Sequence, residues 1–263
     1  MSVTGNWING YGSVMFLTQA ADGSVTGVYT STTGSSGAYW VAGFANPNDP
    51  PSGNGQTLAF SILWRSFSGG APDPSWHYVS GMSGQRLPLD PVTNGPTLVM
   101  IHDMVATVPF PELGITVPGS YIDKLIYVPY SGGQQSPGQW PPPFTPPASD
   151  PVDGNWQCAQ NPSISLSITV QDETTGYVTG TLRTAGGTVN VVGFTDTGAG
   201  PTTPLQGLTL SALLPDGETV VALAGSLDLR TKSLSMTWLQ SDGTAANATY
   251  LQTTFEGLTF KRA

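Results

Sequence analysis

A single cysteine, Cys158, leaves no partner for a disulfide within the chain and does not decide the redox compartment. Charge is also scarce: 10% of residues are Asp, Glu, Lys or Arg, against about a quarter in ordinary globular domains. Seventeen of these are acidic and 8 basic, a formal net charge of −9. Lys and Arg form no cluster, which excludes phosphate-backbone binding to nucleic acid and adhesion to an anionic membrane. No run is long and apolar enough to span a bilayer as a helix. Ser2-Val3-Thr4-Gly5-Asn6-Trp7 contains no signal-peptide core, so the expected location is the cytosol, or outside the cell after a leader is removed. The only histidines, His77 and His102, lack an acidic pair and a cysteine cluster, so no metal site and no cofactor is expected. His102 and Asp103 are adjacent, which on a strand points them to opposite faces and denies them joint acid–base work. No Ser-His-Asp order, phosphate-cradling loop or catalytic carboxylate pair stands out, and the chain does not read as an enzyme.

What is abundant points to β-structure. There are 33 Gly and 23 Pro, which break the chain into short elements. Between them run short stretches rich in Thr, Val, Tyr and Trp, as pleated strands prefer. In the first half the pattern predicts eight strands, near 4–9, 12–19, 24–31, 38–45, 57–66, 75–84, 96–107 and 119–129. Eight strands on short turns can close into a barrel with room for one small ligand, and closure removes the edges that a charge-poor chain cannot guard. Residues 131–153 hold seven prolines and read as a semi-rigid linker, with Trp140 and Phe144 apolar enough to dock on a barrel. The segments on either side resemble each other. Gly5-Asn6-Trp7 recurs as Gly154-Asn155-Trp156, Val25-Thr26-Gly27 as Val178-Thr179-Gly180, and Val41-Ala42-Gly43-Phe44 as Val191-Val192-Gly193-Phe194. Val79-Ser80-Gly81-Met82 is echoed by Leu223-Ala224-Gly225-Ser226. The expected fold is all-β: two eight-stranded antiparallel up-and-down barrels in tandem, over 1–130 and 154–263.

The run TGNWINGYGSVMFL at 4–17, with VTGVYTSTTG at 25–34 and LAFSILW at 58–64, resembles the avidin and streptavidin family. That resemblance implies a biotin ureido group in the barrel mouth. Asn9, Ser13 and Tyr29 match the three donors to the ureido oxygen, Ser31 an acceptor for one ureido N–H, and Asp123 the carboxylate that accepts the other. Trp64 matches one wall of the pocket, and Ser75, His77 and Val79 the next inward-facing set. Convergent donors polarise a urea carbonyl, and in a dry pocket such charge-assisted bonds are strong.

The departures are equally specific. Val79 stands where the family places one tryptophan, the strand at 95–105 lacks another, and no lent tryptophan precedes Asp123. Each lost aromatic wall costs roughly 1.5–3 kcal/mol, so affinity below the family norm is expected. In the second half Cys158 replaces the Asn, Leu182 the Tyr, Ala212 the Trp64 position and Leu258 the Asp123 position, while MTWLQ at 236–240 looks like the missing Trp strand. The first half thus reads as a small-molecule binding module for biotin or a similar cyclic urea or lactam. An avidin-like scaffold or defence protein that has lost biotin is the alternative, and a cyclase-type barrel enzyme using the donors as an oxyanion hole is a third reading. Self-association through barrel faces, as an intramolecular pseudo-dimer with Trp238 or Tyr250 near the interface, follows from the duplication.

Overall fold

A computed structural model describes residues 2–31, 36–51, 53–68, 76–90, 95–111, 114–132, 144–245 and 253–263. No α-helix occurs among the described residues. The first eight strands are β1 (Gly5–Asn9), β2 (Val14–Gln19), β3 (Ser24–Ser31), β4 (Gly37–Ala45), β5 (Gln56–Leu63), β6 (Tyr78–Asp90), β7 (Gly95–Ala106) and β8 (Gly119–Pro129). The next eight are β9 (Gly154–Cys158), β10 (Ser165–Val170), β11 (Tyr177–Thr184), β12 (Gly187–Thr195), β13 (Leu205–Leu213), β14 (Val220–Asp228), β15 (Ser233–Ser241) and β16 (Thr253–Arg262). Each set forms a closed antiparallel barrel in sequence order, β1 closing on β8 and β9 on β16. The tandem all-β architecture is the one expected. One strand outruns its expected end at 84: β6 continues to Asp90 because Pro88 falls within a register shift between Leu87 and Asp90, a place where a missing N–H costs no ladder bond.

Three glycine pairs fix the equivalence of the barrels. A Cβ at Gly27, Gly43, Gly84, Gly180, Gly193 or Gly225 would stand 1.9–2.1 Å from a carbonyl oxygen of the neighbouring strand, so only glycine fits these close approaches. Gly84 lies between Leu58 and Met100, and Gly225 between Leu208 and Met236. Gly225 therefore matches Gly84, three residues on from the Gly81 that the motif comparison suggested. By the same registers Leu214, not Ala212, matches Trp64, and Glu256, not Leu258, matches Asp123. Inward-pointing side chains fill both barrels. Each has a buried tryptophan near its base, Trp7 and Trp156, whose indole donates to a carbonyl four residues back, Val3 at 3.0 Å and Val152 at 2.8 Å.

The barrels pack side by side through β4–β7 and β12–β15, and small residues on the outer faces let them approach. Ser61 Oγ lies 2.9 Å from Ser211 Oγ, and a Cβ on Gly81 would meet that of Ala224 at 3.0 Å. Ser61 and Ser211 occupy equivalent positions, and the Ser83–Ser241 hydrogen bond at 2.8 Å has its counterpart in the Ala224 and Val105 contact. Reciprocity of this kind is what a two-fold arrangement produces. It also sets the barrels head to tail. Gly55 and Thr57, at the base of the first, bond the mouth loops of the second at Thr244 and Glu218. At the other end Arg65 and His77 bond Asp196, on the base side of the second barrel. β5 is buried on both faces for this reason, which explains its unbroken run of buried residues. Residues 144–153 lie against the second barrel: Phe144 stacks on Tyr177 with centroids 5.2 Å apart, and Val152 joins the core. Trp140 lies outside the described residues. Trp238 is not at the interface, since it points into the second barrel; its neighbour Leu239 faces the first.

Candidate ligand site

The mouth of the first barrel is ringed by the connections β1–β2, β3–β4, β5–β6 and β7–β8. At the first, Asn9 Oδ1 accepts from the backbone N–H of Tyr11 and of Ser13, both at 3.0 Å, the local turn chemistry that Asn favours. The amide oxygen is thereby occupied, and Nδ2 turns inward to donate to Tyr29 Oη at 3.5 Å. Ser13, just ahead of β2, and Ser31, at the end of β3, are buried beside them. The register sets Asn9 against Tyr127, whose buried hydroxyl has no hydrogen-bond partner. Burial, and then the neighbouring Tyr29 phenol, push its pKa well above the ordinary range, so it remains a neutral donor. Tyr29 lies edge-on to Trp64 at 5.4 Å, and Trp64 edge-on to Tyr39 at 4.9 Å.

A second chain of contacts continues around the wall. Trp64 Nε1 donates to Ser80 Oγ at 2.7 Å, and Ser80 Oγ lies 2.7 Å from His102 Nε2. Indole N–H can only donate, so Ser80 Oγ accepts from Trp64. With the imidazole proton on Nδ1, His102 Nε2 is the acceptor for the Ser80 hydroxyl proton. Burial lowers the His102 pKa to about 4, against an opposing pull from Asp123, so the ring is neutral near pH 7. Asp123 pairs with His102 in the register, lies exposed at the rim, and accepts from Tyr11 Oη at 3.5 Å.

Of the residues expected from the sequence, Asn9, Ser13, Tyr29, Ser31 and Trp64 come together here, with Asp123 at the rim. His77 does not join them: its Nδ1 lies 2.6 Å from Asp196 Oδ2, facing the second barrel, and Val79 faces the same way. The expected alternation is one residue out of step, and Tyr78 and Ser80 are the inward pair. An aromatic is therefore retained beside Val79, with Tyr78 stacked on Phe110 at 4.3 Å. Ser75 lies outside the described residues. The motif reading missed Ser80, His102 and Tyr127; a register for β6–β8 anchored on Gly84 would have found them.

The second barrel answers each of these positions with an apolar group. Cys158 stands for Asn9, Ile164 for Ser13, Leu182 for Tyr29, Leu214 for Trp64, Val221 for Ser80, Trp238 for His102 and Phe260 for Tyr127. Only Thr184, matching Ser31, and the exposed Glu256, matching Asp123, remain polar. With this geometry in place, comparison with known families matches residues 1–82 to the Avidin family.

Proposed function

Taking as premise that the chain is avidin-like in its first barrel and double-barrelled in build, we propose that it binds one small molecule per chain, by a cyclic urea or lactam head in the first barrel's mouth. Biotin is the reference compound for this chemistry. The observation that carries the reading is the contrast between barrels: a connected set of neutral donors lines one interior, and apolar side chains fill every matching position but one inside the other. An interior needs no polar network for stability, and a buried hydroxyl without an acceptor costs about 1–3 kcal/mol, so the Tyr127 phenol makes sense if a ligand oxygen completes it.

In this reading the head-group carbonyl accepts from Asn9 Nδ2, Tyr29 Oη and the Ser13 hydroxyl. Ser31 accepts one ring N–H, and Asp123 at the rim accepts the other. Trp64 packs on the ring. His102 replaces an aromatic wall with a neutral N–H donor, which weakens the grip on an apolar ring and favours a ligand with an acceptor on that side. The second barrel acts as a built-in partner, making the chain a pseudo-dimer. Calorimetry with biotin is the test. One site per chain supports the proposal, and two sites overturn it. The absence of heat with both biotin and 2-imidazolidinone overturns it in favour of a scaffold role, a reading that His102 in place of a tryptophan also favours.

A further inference from the structure

Between the barrels, on the outer side of the first barrel wall where β7 ends and β8 begins, an open cleft of about 440 Å³ is lined by β7, β8, β13, β14, β15 and β16. Its walls combine the apolar side chains of Val105 and Ala224 with the hydroxyl residues Ser120, Ser235 and Thr237. Two residues from Val105, on the same outward face of β7, stands Asp103. Its side chain is fully buried, and neither carboxylate oxygen has a hydrogen-bond partner. The hydroxyls of Thr237 and Ser120, both part of the cleft wall, stand close enough to oppose the effect of burial, which nonetheless raises the carboxyl's pKa to about 6.

No Lys or Arg lines the cleft, and no ion pair among the described residues reaches Asp103. Lys124, on the neighbouring strand, is exposed. A buried carboxylate with no countercharge is among the most costly arrangements in a protein. Here it lies behind two hydroxyls at the wall of a cavity large enough for a small organic molecule, in a chain with a net charge of −9. An ammonium group on a short alkyl body fits every element: the charge for Asp103, N–H donors for the Ser120 and Thr237 oxygens, and an apolar stem for Val105 and Ala224.

We propose that this cleft is a second binding site, separate from the barrel mouth, that takes a small alkylammonium ion with Asp103 as its counterion. The test is a titration of the full chain with n-butylammonium at pH 8, followed by ¹H–¹⁵N NMR, with 1-pentanol as the uncharged probe of similar length. Saturable shifts centred on Ser120, Val105 and Thr237 are expected with the ammonium and not with the alcohol. D103N should weaken the binding at least tenfold, while N9A leaves it unchanged. No saturable shift, an equal response to pentanol, or unaltered binding in D103N would overturn the proposal. Melting curves show whether D103N is folded, and independence from N9A separates this result from the fate of the barrel-mouth reading.

Discussion

At the scale of single residues, the site divides by what a sequence motif can carry. Asn9, Ser13, Tyr29 and Ser31 sit at short, fixed offsets within two strand ends and the turn between β1 and β2, so the resemblance to the avidin pattern, carried by that short run, is enough to point to them. If they hold the head group, Asn9→Ala or Tyr29→Phe will weaken ligand binding by about 1–3 kcal/mol, read by calorimetry, because a buried donor is lost. His77 and Val79 show the limit. Side chains on a strand alternate, and a slip of one residue moves the whole set to the other face. The same slip hides Ser80, and nothing local in the sequence marks His102, whose neighbour Asp103 points to the opposite face. That opposition is visible in the structure: His102 faces the barrel interior and Asp103 the outer side of β7, on the face it shares with Val105.

These two neighbours titrate with opposite effects on stability. His102 has a folded pKa of about 4, below the ordinary 6.5, so the unfolded chain takes up the proton first. Stability is intact above pH 6.5 and falls as the pH drops toward 4. An NMR titration should find the imidazole neutral, protonated on Nδ1, down to about pH 5. Asp103 is raised from 3.8 to about 6, so its contribution is intact below pH 4 and is lost as pH rises through 6. Asp103→Asn should therefore raise the melting temperature at pH 7.5, by a gain on the order of 2–3 kcal/mol at most, and the gain should vanish near pH 4.

At the scale of elements, the strand count and most boundaries were legible because turn residues and alternation mark them locally. The alignment of the second half on the first was not, since short motifs such as Ser-Gly and Ala-Gly repeat along a strand and only the ladder distinguishes Gly81 from Gly84. Gly81 faces the other barrel; Gly84 faces a backbone carbonyl. The distinction has a measurable consequence. Gly43→Ala or Gly193→Ala places a methyl about 2 Å from the oxygen of Ala59 or Thr209, which the ladder can relieve only by moving. Each substitution should lower stability by about 1–3 kcal/mol or more in urea unfolding. The same change at Gly257, where nothing lies within 4 Å of an added Cβ, should be nearly silent.

At the scale of the whole molecule, the contact between barrels is where polar groups are most deeply committed. Arg65 Nη2 reaches Asp196 Oδ1 at 2.9 Å, His77 shares the same carboxylate, and all three side chains are buried. Asp196→Ala removes the carboxylate shared by the buried Arg65 and His77, leaving Arg65 its bonds to Glu173, Thr174 and Thr197, and should cost about 3–5 kcal/mol, observable as a drop in the urea midpoint. None of this was legible in the sequence, because the three residues lie in two different modules and no local pattern joins them.

The head-to-tail arrangement bears on how the protein could be attached to a surface. The chain enters β1 at the base of the first barrel and leaves β16 at the base of the second, which lies beside the first barrel's mouth. A tether at the amino end would hold the first mouth outward, open to solution, whereas a bulky fusion at the carboxyl end would sit on the mouth's own side. Immobilised by one end or the other, the same molecule should differ in how quickly it captures ligand, although its affinity is unchanged.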